Sequence, residues 1–119
     1  MTRVFTLQIT HQRPDPATAV LEMKGSIHGG PDCQLIQQEL GNVAHGKDHR
    51  VIFDLSGVTH VDSAAIGTIV MCFSRVKKAG GVLCLAGPTG MVAGTIKLTQ
   101  IDKVIKIFPT ASDAAQNLQ

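Results

Sequence analysis

Short runs of β-type residues alternate with segments of helical spacing along most of this chain. The clearest run, residues 51–55, is almost unbroken in apolar side chains, and a stripe of apolar residues at helical spacing follows it. A short apolar run of this kind indicates a strand that is covered on both faces. Strands that alternate with helices are usually parallel and joined by right-handed crossovers. The alternation therefore predicts an α/β fold.

The first part of the chain predicts a hairpin followed by a helix and a buried strand. Residues 4–9 and 18–25 are β-prone runs, and a turn is predicted between them at residues 13–16, where Pro14 and Pro16 stand. Pro31 and Asp32 suit the start of a helix, which Gly46 would end. Its apolar positions recur at helical spacing, at Cys33, Ile36, Leu40 and Val43. The hairpin makes the predicted sheet mixed.

The second part predicts three further helices and two strands. The strongest helix follows Asp62 and Ser63 and stops at Gly80-Gly81; its apolar stripe is Ile66, Ile69, Val70, Phe73 and Val76. A strand at 82–86, a weaker helix at 88–100, a strand around 104–107 and a short helix at 110–118 complete the series. Thr110 is the predicted cap of the last helix. The order is ββαβαβαβα, in one domain over residues 1–119, with four to five strands and about four helices.

Composition argues against nucleic-acid binding. The chain has four Phe but no Tyr or Trp, so it lacks the aromatic platforms on which bases stack. Its net charge is only +2, and Lys77-Lys78 is its single adjacent basic pair, too little for a groove that follows a phosphate backbone. No nucleic-acid partner is therefore expected.

The cysteines and the apolar runs predict a cytoplasmic protein. Cys33, Cys72 and Cys84 form no CxxC pair, and each lies in an apolar stretch, so buried reduced thiols are expected. Polar residues interrupt the N-terminal stretch, which does not resemble a signal peptide. The apolar runs are too short to cross a bilayer, so no direct membrane insertion is expected.

Enzyme motifs are absent from the sequence. The segment 86–90 has the glycines of a phosphate loop, but no Lys-Ser/Thr pair follows, and there is no GxGxxG or GxSxG. His45 and His49 have a zinc-like spacing, but Gly46 lies between them and no third ligand is close in sequence. We therefore expect no catalytic residue, no metal site and no cofactor.

Ser63 admits two interpretations. Asp62 and Ser63 stand where the strongest helix begins, and either side chain could cap its backbone N–H groups. A serine at an exposed turn between a strand and a helix can also enter a kinase active site. Phosphorylation there would add about −1.5 to −2 charges. The helix N-terminus would accommodate that charge, whereas a partner packed over the same surface would be repelled.

The stretch from Asp54-Leu55-Ser56-Gly57-Val58 to Asp62-Ser63-Ala64-Ala65-Ile66-Gly67 resembles the signature of the STAS family, anti-sigma factor antagonist type. The resemblance continues through Lys77-Lys78-Ala79-Gly80-Gly81, the segment 98–105 and the closing 112–115, and so covers nearly the whole chain. Two positions differ from the family pattern. Ala64-Ala65 follow the serine, and His28 replaces the usual Asp.

The resemblance implies a partner-switching role. Ser63 would be phosphorylated by an anti-sigma factor serine kinase, which binds the unphosphorylated antagonist, and a serine phosphatase would reset the cycle. The implied partner contacts are Asp62, Ala64, Ile66, Gly25, Ser26, Ile27 and His28. An alternative is a STAS subunit of a bacterial lipid-transport ABC system, in which Ser63 is only a cap. A nucleotide-binding sensor ranks lower because the sequence has no phosphate loop.

Overall fold

The computed structural model describes residues 7–43 and 49–118. These residues form five strands and four helices, with a 3₁₀ turn at Ile101–Lys103. The strands are β1 (Leu7–Asp15), β2 (Thr18–Ile27), β3 (Arg50–Val61), β4 (Val82–Ala86) and β5 (Ile107–Phe108). The helices are α1 (Pro31–Val43), α2 (Ser63–Lys78), α3 (Gly90–Thr99) and α4 (Ala111–Asn117). The predicted order ββαβαβαβα is confirmed.

The five strands form one mixed sheet in the order β1-β2-β3-β4-β5. β1 and β2 pair antiparallel, and each of the remaining neighbouring pairs is parallel. β3 is much longer than β4, so its second half pairs with β2 alone among the described strands. The end of β3 therefore projects beyond the main body of the sheet, and α2 begins there.

Helices cover both faces of the sheet. One face packs against α1, α2 and α3, and its fully buried side chains include Leu21, Met23, Phe53, Leu55, Leu83 and Leu85. The other face packs against α4 through a smaller core of Val20, Ile52, Cys84, Ala86, Ala114 and Leu118. Because successive residues of a strand point to opposite faces, β3 must be apolar at consecutive positions to fill both cores.

The helices largely follow their predicted apolar positions. In α1 the buried residues are Cys33, Ile36, Leu40 and Val43, the four that the spacing predicts. In α2, Ile66, Ile69 and Val76 are buried, while Val70 and Phe73 are only half-buried. Thr110 accepts a hydrogen bond from the backbone N–H of Asp113 at 3.0 Å, so its predicted capping role is confirmed.

The predicted turn at residues 13–16 is wrong, since β1 continues to Asp15. β1 lies at an edge of the sheet that the described strands form. Proline has no backbone N–H to donate, so it is tolerated on the side of an edge strand that faces no other strand. Pro14 also falls within an irregularity of the β1–β2 register, between Gln12 and Asp15. The edge position and the bulge together explain why this proline does not end the strand.

Two other strand boundaries differ from the prediction. The strand predicted at residues 51–55 extends to Val61, because the segment 57–61 continues to pair with β2 across two register shifts. The last strand begins at Ile107 rather than near Val104. A 3₁₀ turn precedes it, after which Val104 points to solvent and Ile105 enters the core before pairing with β4 begins.

The three cysteines are buried and unpaired, as predicted. Burial raises the pKa of the Cys72 thiol to about 11 and that of Cys84 to about 12, which keeps both protonated and unreactive at neutral pH. Val4, Phe5, His45 and Gly46, which entered the predictions above, lie outside the described residues. Within 7–43 and 49–118, no helix is long and apolar enough to cross a membrane.

Candidate functional site

The junction between β3 and α2 is organised by Asp62. Its backbone is extended, and its Oδ1 accepts a hydrogen bond from the backbone N–H of Ala65 at 2.8 Å. This is the geometry of an N-cap, which satisfies one of the N–H groups left free at the start of a helix. Of the two possible caps in the sequence, Asp62 performs the capping, and Ser63 is the first residue of α2.

The same carboxylate also binds the turn between β2 and α1. Oδ2 of Asp62 accepts a hydrogen bond from the backbone N–H of Gly29 at 3.0 Å, and the N–H of Asp62 donates to the carbonyl of Ile27 at 3.3 Å. Asp62 therefore joins two segments that lie 33 residues apart. Because both of its oxygens are engaged, its orientation is fixed from two sides.

The hydrogen bonds to Asp62 favour its charged form. The N–H of Ala65 and then that of Gly29 lower the pKa of the Asp62 carboxyl below its ordinary value, and the nearby His28 ring lowers it further against an opposing effect of burial. A negative charge at the positive end of α2 also complements the helix dipole. Asp62 is thus an ionised structural anchor rather than a proton donor.

Ser63 is exposed at this anchored junction. Within the described part of the chain, its hydroxyl has no hydrogen-bond partner. The backbone on either side of it is held by the two hydrogen bonds of Asp62 and by α2 itself. An accessible, unengaged hydroxyl on a fixed backbone can accept a group without breaking a contact of the fold.

The structure brings the other predicted site residues to the same end of the sheet. Ser26 pairs with His60 and Ile27 with Val61, so the end of β2 lies beside the end of β3. Within this group Ala64 and His28 are exposed, whereas Gly25 and Ser26 are half-buried. We call Gly25, Ser26, His28, Asp62, Ser63 and Ala64 the Ser63 face.

Two of the predicted contact residues lie beneath this face rather than on it. Ile27 is fully buried and Ile66 is 8% exposed, and both belong to the main core. Their side chains support the surface from below. Gly25 has a φ of +103°, a left-handed conformation that favours glycine, and it lies where the β2–β3 register shifts.

Two residues of the junction were missed by sequence reasoning. Gly29 supplies the N–H to Asp62, and a Cβ placed on it would lie 3.0 Å from Cβ of Ala64. Cys33 donates its S–H to the carbonyl of His28 at 3.3 Å and lies 3.6 Å from the carbonyl of Ala64. No local sequence signal reports the contacts to Asp62 and Ala64, because these partners are more than 30 residues away.

A surface cavity of about 520 Å³ lies elsewhere, between α3 and β5. Its lining is mostly apolar, with Ile96, Ile107 and Phe108 as the largest side chains and Lys97 and Asp102 as the charged ones. None of the residues of the Ser63 face lines it. The cavity and the Ser63 face are therefore separate features.

Comparison with known proteins agrees with this architecture. A protein described as a "Putative anti-sigma factor antagonist TM1081 homolog" from Thermotoga neapolitana is 31% identical over 71 residues. These residues cover 60% of this chain and 63% of that relative, so the match spans less than two thirds of the relative's length. An anti-sigma factor antagonist from Mycobacterium paratuberculosis has a similar structure, with a TM-score of 0.78, 21% identity and coverage of 92% of both chains.

The Bacillus cell fate determinant SpoIIAA, in its phosphorylated form, has a TM-score of 0.68 at 12% identity, with coverage of 94% of this chain and 100% of the other. At these identities the two solved structures show a shared fold. The model of the STAS domain family matches residues 10–114, most of the chain. This match agrees with the resemblance carried by the segment from Asp54 to Gly67, and the chain belongs to the STAS domain family.

Proposed function

We propose that this protein is an anti-sigma factor antagonist and that Ser63 is its phosphorylation site. In the unphosphorylated state it binds an anti-sigma factor serine kinase through the Ser63 face, and phosphorylation releases it. The observation that carries the proposal is the exposed, unengaged hydroxyl of Ser63 beside the fixed Asp62. The similarity to a relative described as an anti-sigma factor antagonist supports it.

The physical basis of the switch is a change of charge without a change of fold. A phosphate on Ser63 brings about −1.5 to −2 charges to the first residue of α2, where the helix dipole tolerates them. A partner covering this position would have to desolvate the phosphate next to the ionised Asp62. A penalty of about 3 kcal/mol weakens binding by more than about 100-fold.

The proposed partner surface is the Ser63 face. Exposed Ala64 and His28 flank Ser63 and are available for contact, while Ile27 and Ile66 shape the surface from beneath. Asp62 contributes charge and rigidity, since both of its oxygens are already hydrogen-bonded. A rigid surface loses little conformational entropy on binding, which favours affinity.

The chain itself is proposed to be a substrate, with no catalytic residue, metal or cofactor of its own, within a single domain over residues 1–119. The Ser63 hydroxyl oxygen attacks the γ-phosphorus of ATP held by the kinase, a base of the kinase takes the proton, and ADP leaves. A serine phosphatase hydrolyses the phosphoserine. Purified chain with radiolabelled ATP alone should therefore remain unlabelled, and label acquired with the kinase should disappear in Ser63→Ala.

Paired baits in a lysate of the source organism test the proposal. Wild type and Ser63→Ala should capture a serine kinase of the anti-sigma type, and Ser63→Asp should lose it. Ser112→Asp is the matched control, since Ser112 is an exposed serine in the first turn of α4. This control should bind as wild type does.

One outcome would contradict the proposal directly. If wild type, Ser63→Asp and Ser112→Asp capture the same transporter ATPase equally, a charge at position 63 does not control binding and Ser63 is not a switch. The chain is then a subunit of a transport system, such as a lipid-transport ABC complex.

A further inference from the structure

The turn that contains His28 is hydrogen-bonded to the residue at the start of α2. Gly29 donates its N–H to Asp62 at 3.0 Å, and a Cβ built on Gly29 would lie 3.0 Å from Cβ of Ala64. Ser63 lies between Asp62 and Ala64, and His28 immediately precedes Gly29. His28 is thus next in the chain to Gly29, Ser63 is next to Asp62, and Gly29 and Asp62 are hydrogen-bonded to each other.

The His28 side chain is 54% exposed, but its surroundings are charged. Its Nδ1 lies 3.7 Å from Oδ2 of Asp32, which also accepts the backbone N–H of His28 at 2.9 Å. The Asp62 carboxylate is attracted to the ring from the β3–α2 junction. The Asp32 carboxylate of α1 therefore lies close to this imidazole, and the Asp62 carboxylate binds the backbone of the next residue, Gly29.

Other titratable groups near this turn are already engaged. The thiol of Cys33 donates to the carbonyl of His28 at 3.3 Å. On β3, Nδ1 of His60 lies 3.0 Å from the hydroxyl of Thr59. On β2, Nζ of Lys24 lies 3.7 Å from a carboxylate oxygen of Glu22. His28 also lies near a carboxylate, but among these groups it is the one whose chain neighbour, Gly29, is hydrogen-bonded to Asp62, the residue next to Ser63.

We propose that His28 is the counter-ion of a phosphate on Ser63, so that the phosphorylated state is held by an ion pair across the β2–α1 turn and the start of α2. This inference rests on the proposed function, since it needs Ser63 to carry a phosphate. It adds a positioning residue and a pH dependence to that site.

The chemistry of the two groups makes the pairing sensitive to pH. Histidine changes its charge between about pH 5 and 8, and the second ionisation of a phosphoserine falls near pH 6. A phosphate on Ser63 would add to the negative charge that Asp32 and Asp62 already bring to the turn. The pair is strongest where a phosphoserine is doubly charged and an imidazole is protonated, and it weakens as the pH rises through the range in which histidines lose their charge.

Phosphoserine placed at position 63 during translation allows a test that needs no kinase. Phosphorus-31 NMR then follows the ionisation of the phosphate between about pH 5 and 8. The pKa of the phosphate should be lower in the wild-type background than in His28→Gln by about half a unit, the size expected for a solvent-exposed ion pair. The proton resonances of the His28 ring should also move between the unphosphorylated and the phosphorylated chain.

His60→Gln is the matched control, because it removes an exposed imidazole from the strand that pairs with the His28 segment. It should leave the phosphate titration at its wild-type position. Coincident titrations of wild type and His28→Gln would overturn the inference, as would an equal shift in His60→Gln. Such a result leaves the proposed kinase binding untouched, since no kinase takes part in this experiment. Conversely, if the baits capture no serine kinase, the phosphate titration still tests whether His28 pairs with a phosphate at position 63.

Discussion

The starts of α2 and α4 look alike locally but are built differently. Each helix follows a parallel strand, and each has a polar side chain that accepts a backbone N–H three residues on, Asp62 from Ala65 and Thr110 from Asp113. The Thr110 hydroxyl makes only this local hydrogen bond among the described residues. Asp62 has a second oxygen, which reaches Gly29 on another element. The comparison shows that a cap becomes an organising residue when it also holds a distant segment.

The largest expected effect is the difference in stability loss between removing the Asp62 cap and removing the Thr110 cap. Asp62→Ala removes the acceptor of two backbone N–H groups, one of them on a different segment, and should lower the free energy of unfolding by about 2–3 kcal/mol. Thr110→Ala removes one local hydrogen bond and should cost about 1 kcal/mol. Urea unfolding of the two variants measures the difference. Equal losses would mean that the bond to Gly29 contributes nothing, and the distinction between the two caps would fail.

Acid should expose a second difference between the two caps. The N–H groups of Ala65 and Gly29 lower the pKa of Asp62 in the folded chain. The ionised Asp62 carboxylate therefore contributes fully to the free energy of unfolding above the ordinary aspartate pKa, near 3.9. This contribution is lost as the pH falls through the lower folded value. The stability difference between wild type and Asp62→Asn should therefore shrink below about pH 4, as followed by urea unfolding at several pH values.

Thr110 has no carboxylate that titrates, so the stability difference between wild type and Thr110→Ala should stay nearly constant over the same pH range. A parallel decline in both variants would assign the acid effect to other groups.

The smallest effect tests the close approach of the two segments. Gly29→Ala places a methyl group 3.0 Å from Cβ of Ala64, and should cost about 1 kcal/mol because one segment must shift. Gly67→Ala is the control, since Gly67 lies exposed within α2 with no atom near the added methyl, and alanine should stabilise that helix by about 0.5–1 kcal/mol.

Thermal unfolding should thus shift in opposite directions for these two alanines. The double variant Gly29→Ala with Ala64→Gly should recover part of the loss, after allowance for the cost of Ala64→Gly alone. Failure of that recovery would show that the contact between the two residues is not the source of the cost.

The sequence was most informative where one local rule decides the structure. The spacing of Cys33, Ile36, Leu40 and Val43 predicts the buried side of α1 because only helical periodicity is involved. The capping role of Thr110 was predictable for the same reason. Strand boundaries were less predictable, because edge position and bulges decide them. Pro14 within β1 is the clearest example, since nothing local shows that β1 lies at an edge.

The candidate site was predictable in part. The position of Ser63 at the start of a helix follows from the pattern, and the family resemblance gives it a role. The sequence left open whether Asp62 or Ser63 caps α2, a choice that the distances to Ala65 and Gly29 decide. Ile66 belongs to the predicted apolar stripe of α2, but only the folded structure shows that Ile27 and Ile66 are buried beneath the Ser63 face rather than exposed on it. Contacts between distant segments are what local patterns cannot supply.

The most direct test of the account is the affinity of the chain for its anti-sigma kinase with and without a phosphate on Ser63. Calorimetric titration would compare the unphosphorylated chain, the chain with phosphoserine at 63 and a control with phosphoserine at Ser112. Phosphoserine at 63 should weaken binding by more than about 100-fold, and the control should bind as the unphosphorylated chain does. Equal affinity in all three forms would contradict the proposal that Ser63 is a switch.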